Sequence, residues 1–173
     1  GYTRYEVIGW YARAGRSAVS ISDYRAPEAE WYGAAPELLR DLRGAEAEAV
    51  LAKLEAAVSS YPHADEYTAW PGPNSNTFVA HLGREIPELR LTLPPTAIGK
   101  DYLPNNAIVA RSPSGTGYQV SLGGLFGVTA GSDDGFELNV LGLVTGFDFK
   151  VPALKLPGVG RVPSAAGSAV VTP

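Results

Sequence analysis

The most informative stretch of this chain is Pro71–Leu82, which reads PGPNSNTFVAHL. The Pro-Gly-Pro loop is stiff and marks a break in regular structure. Apolar residues then recur at helical spacing, which predicts a helix over residues 75–85. Asn74 or Ser75 can cap that helix, because either side-chain oxygen accepts a hydrogen bond from free N–H groups of the first turn.

The residues before this loop predict a hairpin and a second helix. Residues 5–11 are rich in aromatic and β-branched side chains, and residues 17–22 alternate in polarity, which is typical of two paired strands. A short strand is expected at residues 38–42. Residues 45–60 carry an apolar stripe at helical spacing and predict a long helix, which Pro62 ends.

The residues after the loop predict strands. Residues 117–122 and 136–141 alternate with period two, which indicates two or three antiparallel strands joined by glycine-rich turns. Residues 152–161 are expected to form an extended strap. The order of elements predicts an α+β fold with two main helices on one side of an antiparallel sheet. One domain is expected over residues 1–161, with a flexible tail at 162–173.

Composition excludes several classes of function. The chain has 173 residues, a net charge of −4 and no cysteine. The acidic balance and the lack of a basic run argue against nucleic-acid binding. Without cysteine there is no disulfide, no thiolate metal site and no thiol catalysis. The longest apolar region, residues 120–149, is interrupted by charged residues and glycines, so buried strands are expected there rather than a membrane span. No cofactor or metal is predicted.

Ser75 is the candidate nucleophile. Free N–H groups and the dipole at a helix N-terminus stabilise negative charge on a nucleophile or an oxyanion. Serine also needs a base, and the chain has only 2 histidines. His81 lies about 600° around the helix from Ser75, so these two residues cannot touch within one helix. His63 follows the first long helix and is a weak candidate base; the alternatives are a solvated His63 and a Ser75 that only caps the helix.

Other polar and aromatic residues near this stretch are candidates for binding a substrate or a partner. They are Trp70, Asn74, Asn76, Lys100 and Asp101. Trp70 is either a core anchor for the loop or one wall of a cleft. The neighbouring pair formed by Lys100 and Asp101 either lines a pocket or forms a surface ion pair.

Two glycine-rich segments have an ordinary explanation as turns. Residues 112–117 resemble a phosphate-binding loop only superficially, since they lack its Gly-Lys-Ser/Thr ending. Residues 133–135 could bind calcium weakly, but Asp-Gly is first of all a hairpin signal. The remaining large aromatic residues are Trp10, Trp31 and Tyr32, and the last two lie in an expected loop.

Several segments together resemble the bacterial family known as domain of unknown function 3750 (DUF3750). The resemblance extends from about Tyr5 to Arg161. The segments are YEVIGW (5–10), WYG (31–33), WPGPNSNTFVA (70–80), LPPTAIGKDY (93–102), PSGTG (113–117) and PALKLPGVGR (152–161).

This resemblance implies a location in the bacterial cell envelope, on the periplasmic side of the inner membrane. Members of the family carry an N-terminal hydrophobic anchor and a histidine-containing strand upstream of the segment that matches Tyr5. The resemblance therefore implies that the chain as given is N-terminally incomplete, and that membrane attachment and the family histidine belong to the upstream segment. The implied partner is a peptide, a lipid or a membrane protein.

A second resemblance concerns mechanism. Asn74–Phe78 is similar to the Asn-Cys-Asn-x-Phe nucleophile motif of PPPDE-type thiol peptidases, which implies a papain-like or NlpC-like layout with Ser75 in place of cysteine. Replacing cysteine by serine in a thiol site normally abolishes turnover. The main hypothesis is therefore a non-catalytic binding or structural module. The alternatives are a serine-dependent amidase or peptidase that uses Ser75, and an accessory subunit of a membrane complex.

Overall fold

The computed structural model of the protein describes residues 1–24, 26–30, 33 and 35–164. Trp31, Tyr32 and residues 165–173 of the expected tail lie outside the described residues. The described part contains 3 α-helices and antiparallel sheets, which confirms the α+β class. None of the helices in this part is long and apolar enough to cross a membrane.

The N-terminal hairpin forms as predicted but is interrupted by a short helix. Strand β1 (Arg4–Val7) pairs antiparallel with β2 (Val19–Ser22). Helix α1 (Gly9–Arg13) follows β1 directly, so the strand ends earlier than the sequence suggested. A Cβ atom at Gly9 would lie 2.8 Å from the Tyr67 ring, so only glycine allows the chain to turn this close to that ring.

The two long helices match their predictions. Helix α2 (Ala45–Ser59) and helix α3 (Ser75–Glu85) pack against each other and against the hairpin. Their shared core is formed by Val7, Ala18, Val58, Tyr61 and Phe78. The strand expected at residues 38–42 is absent, since the structure assigns no regular element there. Short 3-10 turns occupy Pro87–Leu89 and Pro104–Asn106.

The C-terminal part is a seven-stranded antiparallel meander, larger than the two or three strands that were predicted. The expected strap forms the last two strands. In chain order the strands are β3 (Val109–Arg111), β4 (Gly117–Leu122), β5 (Phe126–Gly131), β6 (Gly135–Val140), β7 (Leu143–Asp148), β8 (Ala153–Leu156) and β9 (Gly160–Val162).

A sheet with one buried face usually buries its apolar side chains and exposes its polar ones. In this sheet the arrangement is reversed. The face that contacts Arg84 of α3 and the loop residues Lys100 and Asp101, called the inner face here, is buried and mainly polar. Its polar side chains belong to Gln119, Ser121, Thr129, Glu137, Asn139 and Lys155, and Val144 and Ala153 are buried apolar residues on the same face. The opposite, outer face is apolar and exposed, and consists of Val109, Tyr118, Val120, Leu122, Phe126, Val128, Phe136, Leu138, Val140, Leu143, Phe147, Leu154 and Val162. The prediction of buried strands over residues 120–149 is therefore wrong for their apolar side chains, because the polar side chains of the same strands face the protein.

Candidate functional site

A cavity of about 590 Å³ opens beside the first residue of α3. Its walls come from β1, α1, the segment before the Pro-Gly-Pro loop and the start of α3. The polar and aromatic side chains of the lining belong to Arg4, Glu6, Trp10, Arg13, Tyr67 and Ser75. The cavity therefore combines both signs of charge with aromatic surface, and Ser75 lies on its wall.

Asn74, not Ser75, is the N-cap of α3. The Asn74 side-chain oxygen accepts hydrogen bonds from the backbone N–H groups of Asn76 at 2.9 Å and Thr77 at 3.2 Å. In return, the Asn74 N–H donates to Thr77 Oγ1 at 3.0 Å, which completes a capping box. The sequence left open which of Asn74 and Ser75 would cap the helix, and the structure selects Asn74.

This cap leaves Ser75 exposed at the first helical position. Within the described part of the chain, neither its Oγ nor its backbone N–H has a hydrogen-bond partner, so both can meet a ligand in the cavity. The next two N–H groups of the helix are already bonded to Asn74, and they are the donors that an oxyanion hole at a helix start would use. Of these N–H groups, only that of Ser75 is therefore available to donate a hydrogen bond to a developing anion.

The loop 97–100 is held against the start of α3 by a set of side-chain hydrogen bonds. Asn74 Nδ2 and Asn76 Nδ2 both donate to the Ile98 carbonyl, at 3.0 and 2.8 Å. Thr77 Oγ1 donates to the Gly99 carbonyl at 2.8 Å. Two of the predicted binding residues, Asn74 and Asn76, therefore use their amides to fix the loop.

The fold does not place His63 within hydrogen-bond distance of Ser75. Its Nδ1 is hydrogen-bonded to Glu66 Oε1, and its ring packs edge-on against Tyr61 and Tyr102 with centroids 5.7 and 5.5 Å apart. His63 is buried and does not line the cavity. Among the described residues, no hydrogen bond joins a histidine to Ser75.

His81 is buried on the far side of α3, as the helix geometry required. Its Nε2 donates to the Ala57 carbonyl at 3.0 Å and lies 3.2 Å from Ser60 Oγ. Burial holds the pKa of His81 below its ordinary value. The uncharged ring therefore links α3 to α2 through its hydrogen bond to Ala57.

Lys100 and Asp101 form an ion pair at 2.8 Å, but the pair is buried, so the alternative of a surface pair is wrong. Lys100 Nζ also contacts Glu137 Oε2 at 2.5 Å, and Glu137 Oε1 contacts Lys155 Nζ at 2.5 Å. Burial alone would lower the pKa of Lys100, but the two carboxylates outweigh it and raise that pKa. Burial alone would raise the pKa of Glu137, but the two lysines outweigh it and hold that pKa below its usual range. These charges attach the loop to the inner face of the sheet.

Trp70 is half-exposed, and its indole Nε1 donates to the Leu141 carbonyl at 3.0 Å. Of the two roles that the sequence left open for Trp70, it is not a core anchor, and it does not line the cavity. It ties the Pro-Gly-Pro loop to the turn between β6 and β7.

The two glycine-rich segments are turns. Residues 112–117 join β3 to β4, with Ser112 and Ser114 buried. In the turn between β5 and β6, Asp133 is paired with Arg90 and Lys150. No group of histidine and carboxylate residues that could hold a metal occurs among the residues that the structure describes.

Sequence reasoning missed most of the cavity lining. Arg4, Glu6, Trp10 and Arg13 come from the hairpin and α1, far from Ser75 along the chain. The one available signal was the Arg-Tyr-Glu alternation of β1, which puts Arg4 and Glu6 on the same side of a strand.

Comparison with known proteins places part of the chain in a family. Residues 1–102 match the family described as "Protein of unknown function (DUF3750)", and the matched region ends before the seven-stranded sheet. No curated protein and no solved structure matches the chain. Since the matched residues are more than half of the 173, this chain belongs to the DUF3750 family.

Proposed function

We propose that this protein is a non-catalytic binding domain that holds the carboxylate end of a peptide in the cavity beside Ser75. The observation that carries the proposal is an exposed Ser75 on the cavity wall, to which neither of the two histidines that the structure describes, His63 and His81, is bonded. A serine without a base has almost no nucleophilic anion at neutral pH, so the site is better suited to binding than to acyl transfer.

The charges of the cavity support a carboxylate ligand. Arg13 is exposed on the wall and makes no ion pair within the described residues. Glu6 is paired with Arg4 at 3.1 Å, so its negative charge is largely compensated. The unbonded N–H and Oγ of Ser75 at the positive end of α3 add two donors for an anionic group.

The aromatic side chains support a peptide rather than a small anion. Trp10 is 54% exposed, and its ring lies on the cavity wall together with Tyr67. Aromatic faces bind aliphatic side chains and peptide planes with little loss of conformational entropy. A cavity of about 590 Å³ is in the size range of small-ligand sites.

Titration with short peptides tests the binding function. The probe is an alanine tripeptide with a free C-terminus, followed through tryptophan fluorescence and calorimetry, and the comparison ligand is the same peptide with a C-terminal amide. We expect the free acid to bind more tightly, and Arg13→Gln to weaken its binding about tenfold. Arg40→Gln, an exposed arginine outside the cavity, is the matched control. Equal affinity for the acid and the amide would contradict a carboxylate site.

A serine-dependent amidase or peptidase remains the second candidate, favoured by the exposure of Ser75 at a helix start. Labelling with a serine-reactive phosphonate separates the two. We expect no labelling of the wild type; labelling that is lost in Ser75→Ala would show an activated serine and overturn the non-catalytic proposal.

The proposal includes a papain-like ancestry and a location in the bacterial envelope. The support is the Asn-Ser-Asn-Thr-Phe segment at the start of α3, together with family membership. Fractionation of cells that express the natural protein, with an antibody to this domain, tests the location. Recovery in the cytosolic fraction alone would contradict it.

A further inference from the structure

We propose that the outer face of the sheet is a dimer interface, at which two copies of this chain pack face to face. The face is continuous because its apolar side chains are register partners across neighbouring strands. One row crosses the sheet through Tyr118, Ala130, Phe136, Phe147, Leu154 and Val162. A second row runs through Val109, Val120, Val128, Leu138 and Thr145.

The size of the outer face fits a dimer. The seven strands have 3 to 6 residues, or roughly 10–20 Å each, and at a spacing of ~4.8 Å they give a flat footprint of roughly 550 Å², before the relief of the side chains is counted. The accessible surface that each partner contributes to a stable interface is about 800 Å². The largest exposed apolar patch on a monomeric protein is usually ~300–600 Å², so the outer face lies at the upper end of that range.

The outer face carries no charge that would oppose a second copy. Among the described strand residues, its charge is confined to Arg111 on the edge strand β3. A two-fold axis brings each patch against itself, so a patch that is uncharged away from its β3 edge avoids contact between like charges over most of its area. Two sheets with apolar faces also pack well, since their side chains interdigitate in a layer about 10 Å thick.

The charges around the outer face make it unlike a surface that binds an anionic membrane. Arg90 and Lys150 are both paired with Asp133, and Arg161 is paired with Asp148. These cations are therefore compensated, and the net charge of the chain is −4. Attraction to anionic lipid needs several uncompensated lysines or arginines at the rim.

Leu138 marks the centre of the proposed interface. It lies in the middle of β6, the central strand of the sheet, and is 41% exposed. At the centre of a face-to-face dimer the two Leu138 side chains approach the two-fold axis. A charge at this position therefore meets the same charge of the partner, and opposite charges on two variants meet each other.

Sedimentation equilibrium tests the dimer with this charge pair. We expect the wild type to have the mass of a dimer, Leu138→Glu and Leu138→Lys each to be monomeric, and an equimolar mixture of the two variants to regain the dimer mass. Leu51→Glu is the control, since Leu51 is 62% exposed on α2 and lies outside the face. Because both side chains are exposed, all variants should keep the wild-type circular dichroism.

Three results would overturn the proposal. They are a wild type that is monomeric at every concentration, a dimer that both Leu138 variants leave intact, and a mixture of the variants that stays monomeric. A monomeric wild type is then tested by flotation with vesicles of phosphatidylcholine and phosphatidylglycerol. Flotation that Leu138→Glu abolishes would assign the face to lipid instead.

Discussion

Lys100 and Glu137 form a buried ion pair, with Lys100 Nζ 2.5 Å from Glu137 Oε2. Lys100 lies at the end of the region that matches the family, and Glu137 lies in the sheet outside that region. The pair therefore connects the part of the chain that carries the cavity to the part that carries the outer face.

Glu137→Gln should destabilise the protein by about 3 kcal/mol, since it leaves Lys155 without a carboxylate in a buried position. The free energy of unfolding from urea titration measures this. Glu48→Gln, an exposed carboxylate on α2, is the control and should change stability by less than about 0.5 kcal/mol. A similarly small effect for Glu137→Gln would mean that the fold tolerates a buried Lys100 and Lys155 without the carboxylate of Glu137.

Asn74→Ala should cost about 2 kcal/mol, because it removes the helix cap and a hydrogen bond to the Ala69 carbonyl. Asn74→Asp keeps the cap acceptor but loses the amide donor, and should fall between wild type and Asn74→Ala. Ser75→Ala, one residue further on and exposed, should be neutral within about 0.5 kcal/mol. Thermal unfolding ranks the three variants; a large loss in Ser75→Ala would show that Ser75 has a structural partner after all.

Gly99→Ala should destabilise the loop that the cap holds. Gly99 has a φ of +97°, and a Cβ atom there would lie within 2.6 Å of the Asn74 carboxamide carbon. Gly158→Ala shares the positive φ, at +69°, but its Cβ would have open space. We expect about 1 kcal/mol from the backbone conformation alone at Gly158 and clearly more at Gly99. Equal losses at the two positions would show that the Asn74 side chain can move aside at no cost.

The stability of the protein should fall as pH is lowered through the range in which His81 titrates. Burial holds the pKa of His81 below the ordinary 6.5, so the unfolded chain binds a proton that the folded chain does not. The stabilisation is complete above pH 6.5 and is lost as pH falls toward the folded-state pKa. Urea titrations between pH 7 and pH 5, at steps of about half a unit, should show this loss in the wild type and a smaller one in His81→Gln. Parallel curves for the two proteins would contradict a neutral, buried His81.

The helices could be predicted from the sequence because their signals are local. The apolar spacing of residues 45–60 and the Asn-Ser-Asn-Thr-Phe start lie within each helix, and the bounds of α3 agree with the prediction. The sheet was underestimated because glycines such as Gly127 and Gly146 weaken the strand pattern. Alternation shows which residues share a face, but not which face the rest of the protein covers.

The cavity could not be predicted because its lining comes together only in the folded chain. Ser75 was identified from its position at a helix start. Its neighbours Arg4 and Arg13 belong to the hairpin region, about 60 to 70 residues earlier, and are ordinary charged residues in the sequence. The pairing of Lys100 with Glu137 was missed for the same reason, since nothing in the sequence places these residues side by side.

The buried polar inner face has a consequence for how substitutions are tolerated. In most sheets the buried strand positions are apolar and reject polar residues, whereas here polar residues such as Gln119, Glu137 and Lys155 occupy buried strand positions. A saturation mutagenesis screen for folding should therefore show an inverted pattern along β4–β6. Apolar replacements would be harmful at the inner positions, and polar replacements at Val128 or Leu138 would leave the chain folded.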